Sequence, residues 1–250
     1  MEFHQDQTEK HVRTRSFTHL VDGRSVPGLL FTSADHEEPQ QLVLIGHGAS
    51  SSKREGYVTA LARQFVRHGF SACAIDGPVH GDRRLDGVAQ GTLPFLEFSQ
   101  IWANDALMTD HMVADWRGVL DALLELPDVA DGPVGYWGVS MGTILGLPLV
   151  AAEPRIRAAV LGLMGLVGPT LERLRLDAER LSCPIHFLVQ WDDQLFHRDV
   201  AFQLFEAIGA ADKVLVASPG GHGDVPTGSF VASAEFLIHR LSGVYPRQQG

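Results

Sequence analysis

At 250 residues, with 45% hydrophobic and 20% charged side chains, the chain suits one medium-sized globular domain and lacks the polar excess of a disordered one. Its formal charge of −10 argues against nucleic acid or an anionic membrane surface as a partner, and no stretch reaches the roughly 18 apolar residues of a membrane span. Cys73 and Cys183 are too few for a disulfide framework and have no zinc-ligand spacing, so free thiols are expected; the polar start "MEFHQDQTEKHVRTRSF" lacks the apolar core of a secretory signal, which points to the cytoplasm.

After an N-terminal tail without a readable pattern, "RSFTHLV" and "VPGLLFT" have strand character, and "DGRS" between them suggests a hairpin turn. "QLVLIGHG" is a continuous apolar run ending in glycine, as expected of a strand buried on both faces of a parallel sheet. Val58, Leu61, Ala62 and Phe65 follow at helical spacing, with Gly69 placed to stop that helix. The alternation then repeats through the strands "SACAID", "PVGYWGVS", "RAAVLGL", "PIHFLVQ" and "KVLVASP". Between and after them lie helices around Met112, Trp116, Val119, Leu120 and Leu123; after Ser140; around Val200, Leu204 and Ile208; and around Phe230, Ala234, Leu237 and Leu241.

This βαβ rhythm predicts an α/β fold with a mostly parallel central sheet flanked by helices, in a single domain over 1–250. Residues 82–107 and 164–182 are longer than crossovers need and are expected to form small cap elements over the carboxyl ends of the strands, where ligands collect in such sheets. The first holds the apolar cluster Leu93, Pro94, Phe95, Leu96, Phe98, Ile101 and Trp102, readable either as a wall for an acyl or alcohol group or as core beneath the cap.

"GVSMG" puts Ser140 at a strand-to-helix junction, where glycines permit a tight turn and the N–H groups of the next helix face the reacting centre. A serine hydroxyl needs a base to take its proton and a carboxylate to orient that base. "SPGGHGDVP" offers His222 in a glycine-rich loop after a strand, whereas His186 lies within a strand, His239 in a helix, and His4, His11 and His36 in peripheral segments. "VQWDDQLF" offers Asp192 and Asp193, which are adjacent and therefore unable to serve one imidazole together. The order Ser, Asp, His matches a known arrangement of such triads.

Together, "GHGAS", "DGPVHGDR", "GVSMG", "WDD" and "GGHGDVP" resemble the α/β-hydrolase superfamily over residues 15–242, and within it the small dienelactone-hydrolase-like and carboxylesterase-type serine hydrolases. The resemblance implies the α/β-hydrolase fold and a triad of Ser140, Asp193 and His222. Relatives carry the acid at the fourth position of Gly-x-x-Asp-x-x-Val-Pro, which on "QWDDQLFH" selects Asp193, although Gln190 replaces the glycine and Phe196-His197 the Val-Pro. It also implies an oxyanion hole from the N–H groups of Ala49 and Met141. Trp191 is expected to border the substrate, and His47, Gly48 and His80 are expected either to order these loops or to border the substrate with it. True dienelactone hydrolases use cysteine, so Ser140 counts against that substrate.

The function implied is hydrolysis of a small-molecule carboxylic ester through an acyl-enzyme, with no cofactor and no metal, since His47, His80 and His222 sit at separate strand ends. Thioesterase, peptidase or carbon–carbon-bond hydrolase activity on the same triad stays open, as does a ligand-binding protein with a vestigial site. The oligomeric state is not readable.

Overall fold

The computed structural model describes residues 1–36, 38–84 and 92–243. Among these residues nine strands form one sheet: β1 (Glu2–Glu9), β2 (Val12–Val21), β3 (Arg24–Ser33), β4 (Leu42–Gly46), β5 (Ser71–Ile75), β6 (Val134–Gly138), β7 (Ile156–Gly162), β8 (Ile185–Gln190) and β9 (Lys213–Ser218), in the order β1-β2-β3-β5-β4-β6-β7-β8-β9. From β5 to β9 every neighbouring pair is parallel; β1, β2 and β3 add an antiparallel wing. The expected hairpin joins β2 to β3 through Asp22 and Gly23, both at positive φ (48° and 78°), a two-residue turn whose twist suits an antiparallel pair.

The N-terminal tail is a correction, because residues 2–9 are a strand. β1 has no apolar face to reveal it; only Phe3 is partly buried, against Phe17, and the pairing is carried by the backbone ladder with β2 and by Arg13 with Asp6. Hydrophobic periodicity is blind to an edge strand held in this way.

Among the described residues seven α-helices accompany the sheet: α1 (Gly56–Arg67), α2 (Thr92–Asn104), α3 (Met108–Leu124), α4 (Met141–Ala152), α5 (Leu171–Arg180), α6 (Arg198–Ala207) and α7 (Thr227–Leu241). α1 and α7 cover one face, and α3, α4, α5 and α6 the other. Successive strand residues feed opposite cores: Leu42 and Leu44 face α3 and α4, while Val43 and Ile45 face α1 and α7. This double burial is why the central strands read as unbroken apolar runs. Among the described residues no helix is long and apolar enough to cross a membrane.

Of the two segments expected to cap the sheet, 164–182 contains α5, which packs on α4 and α6 as the ordinary crossover helix from β7 to β8. The loop before it reaches α2, with Trp102 Nε1 donating to Thr170 Oγ1 at 2.7 Å. Residues 85–91 and the side chain of Leu93 lie outside the described residues.

Strand order brings the functional loops together. β4 lies between β5 and β6, and Gly46 pairs with Gly138, so the loops leaving β4 and β6 emerge side by side. Thr143 ties β6 to β7 beneath them: its buried hydroxyl accepts from Gly162 N–H at 2.8 Å and lies within donating distance of the carbonyls of Gly138 (3.0 Å) and Gly162 (2.7 Å). Thr143→Val strands these groups and should cost about 2 kcal/mol. Thermal unfolding is expected to show Tm lower by about 5 °C with unchanged helix content.

Candidate active site

Ser140 stands between the end of β6 and the start of α4 with φ 58° and ψ −121°, a backbone conformation that costs energy for any residue but glycine. Its N–H donates to Gly162 O at 3.0 Å, and its carbonyl accepts from Thr143 and Ile144 at 2.8 and 3.0 Å. The flanking glycines are required by close approach. A Cβ on Gly142 would lie 2.7 Å from the Gly46 carbonyl oxygen, and one on Gly138 would lie 2.9 Å from that of Gly142. Tyr136 Oη, donating to Gly142 O at 2.6 Å, fills the space beneath.

The loops after β8 and β9 bring the other two groups. His222 Nε2 is 2.9 Å from Ser140 Oγ, and its Nδ1 is 2.7 Å from Asp193 Oδ2, so the tautomer that donates from Nδ1 leaves Nε2 to accept the serine proton. Burial alone would raise the Asp193 pKa, but the His222 hydrogen bond and the N–H groups of Phe196 and Leu195 outweigh it and hold the carboxyl below its ordinary value. Asp192 turns away, accepting from Gly220 N–H at 3.3 Å. The two departures from the family pattern have jobs here: Gln190 Nε2 donates to the carbonyls of Pro219 (3.3 Å) and Gly221 (3.2 Å), and the Phe196 ring lies 5.6 Å from that of His222. Gln194, which sequence reasoning passed over, accepts from His222 N–H at 3.1 Å.

A cavity of about 200 Å³ opens beside Ser140 and His222, bordered by Gly48, Ala49, Tyr57, Phe95, Leu195 and Phe230 among others. Ala49 and the first residue of α4, Met141, flank the serine, and among the described residues neither backbone N–H meets an acceptor. Tyr57, Leu195 and Phe230 were missed because they come from three separate elements and share no motif. The apolar cluster of α2 divides: Phe95 lines the cavity, Phe98 is core against His80 and Trp102, and Leu96 faces solvent.

Of the four residues with an expected substrate role, Gly48 lines this cavity and His47, His80 and Trp191 do not. His47 is buried, with Nδ1 donating to Gly48 O at 2.8 Å and Nε2 accepting from Gly77 N–H at 2.9 Å. His80 is fully buried, with Nε2 and Nδ1 each 2.6 Å from a carbonyl, of Ala49 and Pro78 respectively. Trp191 lies outside the cavity, against Phe202 and under the guanidinium of Arg198. Both histidines order loops, as do Asp76, which takes Lys53 N–H at 3.0 Å and Asp82 N–H at 2.8 Å, and Arg83, which reaches Asp115 on α3 at 2.8 Å. Among the described residues no three His, Cys, Asp or Glu side chains gather as a metal ion would require.

The chain is similar to a cold-adapted esterase from an Arctic intertidal metagenomic library: 36% identity, 96% of this chain and 100% of that one, TM-score 0.86. The chain belongs to the α/β-hydrolase superfamily. Within it the protein is a carboxylesterase-type hydrolase. The fold is shared with an acetyl xylan esterase from Paenibacillus sp. R4 (18% identity, 96% and 88% of the two chains, TM-score 0.75). It is shared also with a dienelactone-hydrolase-type protein from Klebsiella pneumoniae subsp. pneumoniae MGH 78578 (16%, 93% and 99%, 0.74). No family model matches the sequence, and neither does any curated protein.

The geometry separates the two aspartates in a way kinetics can read. Asp193→Asn should lower kcat by about a thousandfold or more, while Asp192→Asn changes it by less than about threefold. The reverse ranking would give the acid's role to Asp192.

The buried imidazoles also set a pH dependence. Burial, then the neighbouring His80, bring the His47 pKa down from 6.5 to about 4, and burial does the same to His186. Between those pH values the unfolded chain binds protons that the folded protein refuses. Stability contributed by the neutral rings is therefore complete above pH 6.5, falls as pH drops through the window and levels off below about 4. Urea midpoints measured from pH 7 to 4 should decline accordingly, and less steeply in His186→Gln.

Proposed function

We propose that this carboxylesterase-type hydrolase cleaves small, short-acyl carboxylic esters through an acyl-enzyme on Ser140, with His222 as general base and acid and Asp193 orienting it. The observation that carries the reading is the unbroken hydrogen-bonded line from Ser140 Oγ through His222 to Asp193, at 2.9 and 2.7 Å, at the wall of a largely apolar cavity.

Ser140 Oγ attacks the acyl carbon as His222 Nε2 takes the hydroxyl proton. The resulting imidazolium is stabilised by the Asp193 carboxylate, which stays ionised because its pKa is held low. The N–H groups of Ala49 and Met141 receive the oxyanion; a donor of this kind is worth about 3 kcal/mol in the transition state. His222 returns the proton to the departing alcohol, and a water activated by the same nitrogen then releases the acid. Size supports short chains: the cavity of about 200 Å³ exceeds only modestly the roughly 150 Å³ in which an apolar site holds benzene.

In this reading the protein is one domain in which α2 and the loop before α5, joined by Trp102 and Thr170, cover the mouth of the site. The free thiols of Cys73 and Cys183 suit a reducing compartment such as the cytoplasm.

Intact mass after fluorophosphonate treatment should show one adduct on the wild type and none on Ser140→Ala. A p-nitrophenyl series should then give the highest kcat/KM for acetyl to butyryl esters, falling for longer acyl groups. Absence of an adduct on folded wild type would remove the acyl-enzyme mechanism; a preference for long chains would remove the assignment of the cavity to a short acyl group.

A further inference from the structure

The loop that carries Ala49 is closed by a ring of hydrogen bonds that no motif announces. Gly48 N–H donates to Tyr57 Oη at 2.8 Å, Tyr57 Oη and Ser51 Oγ are 3.2 Å apart, and Ser51 Oγ–H donates to Gly48 O at 3.0 Å. If the phenol donates to the serine, each group in the circuit gives one proton and receives one, so the three bonds polarise one another in the same sense. Gly48 O collects two further donors, His47 Nδ1 at 2.8 Å and Ser51 N–H at 3.2 Å.

These contacts matter through the geometry of a single peptide unit. The Gly48 carbonyl and the Ala49 N–H belong to the same planar trans peptide, in which C=O and N–H point in opposite directions. Three donors on the Gly48 oxygen therefore fix the direction of the Ala49 N–H, and its free face is the one turned from that cluster. Tyr57 is itself anchored, packed at a tilt against Trp137 and Phe230 at centroid distances of 6.1 and 5.8 Å, and burial raises its pKa so that the phenol keeps its proton.

We infer that Tyr57 and Ser51 are positioning residues for ester hydrolysis: their hydroxyls, in circuit with Gly48, hold the 48–49 peptide so that the Ala49 N–H is aimed in advance at the developing oxyanion. The inference rests on the reading of Ala49 as an oxyanion donor. It predicts an effect confined to the transition state, since the bound ester's neutral carbonyl gains little from a donor aligned to an oxyanion.

The test is a double-mutant cycle on Tyr57→Phe and Ser51→Ala, with Ser51→Thr as the variant that keeps a hydroxyl. Burst titration with a fluorophosphonate counts competent Ser140 sites in each protein, so that kcat is expressed per folded, reactive site. Each single change is expected to lower kcat about tenfold, less than removal of a donor itself, with KM within about twofold. The double variant should be no slower than the worse single one, because either change opens the same ring. Ser51→Thr should return to within about threefold of wild type, and the inhibition constant of a trifluoromethyl ketone should rise in step with the fall in kcat.

A loss confined to KM would make Tyr57, which borders the cavity, a substrate contact and overturn the inference. Multiplying effects in the double variant would do so too, as would a wild-type kcat in either single one. Wild-type protein that takes no fluorophosphonate would instead overturn the reading beneath it, before any variant is compared.

Discussion

The site depends on how closely three backbone segments approach one another. The end of β4, the end of β6 and the first turn of α4 meet at Gly46, Gly138 and Gly142 with no room for a methyl group between them. Into the remaining space fits one hydroxyl, that of Tyr136, bonded to Gly142 O. A serine held at φ 58° is unfavourable in isolation; here the surrounding contacts over-determine it, and relaxing the turn would break the bonds to Gly162 and separate the packed glycines. The same closeness places the start of α4 beside the loop after β4, so Ser140 and the two expected oxyanion donors share one rigid origin.

Around that origin the protein uses buried polar groups chiefly to tie loops to each other. Lys53 and Asp76, both sealed from solvent, pair beneath the loops after β4 and β5, and Asp82 joins them at 2.7 Å from the ammonium. His47 and His80 stand edge to face, with ring centroids 5.2 Å apart, and bond almost entirely to backbone atoms. Burial disfavours charge on both rings, so their contribution is direction rather than proton transfer. His222 instead joins a carboxylate at 2.7 Å on one nitrogen to the Ser140 hydroxyl at 2.9 Å on the other, an arrangement suited to moving a proton.

Much of this was legible in the sequence for a definite reason. Central strands buried on both faces must be continuously apolar, crossover helices must show a helical stripe, and a tight strand-to-helix turn must use glycine; so β4 to β9, most of the helices and Ser140 could be read directly. His222 and the aspartate pair followed from their places after strands, and the choice of Asp193 needed the resemblance. What stayed hidden lacks a local pattern. β1 is held by backbone pairing, Tyr57 and Ser51 act through a peptide they do not belong to, and Leu195 and Phe230 meet only in space. A substrate role for His47, His80 and Trp191 erred in the opposite direction: they sit inside recognisable motifs, yet burial or outward packing takes them from the cavity, and the two histidines keep the loop-ordering part of the expectation.

The proposed acid and base hang from the far side of the sheet. Asp193 follows β8 and His222 follows β9, the edge strand on this side, none of whose residues is fully buried. Gln190 and Gln194 lash these two loops together, so aspartate and histidine form one unit, while Ser140 is rooted in the interior beside β4. Ser140 and His222 are thus joined across a gradient of burial, from the fully buried β6 to an edge strand with no fully buried residue. Fraying of β9 alone would carry the imidazole away from the hydroxyl while leaving both cores intact, which makes the cohesion of this margin, rather than of the whole molecule, the determinant of how warm the enzyme can work.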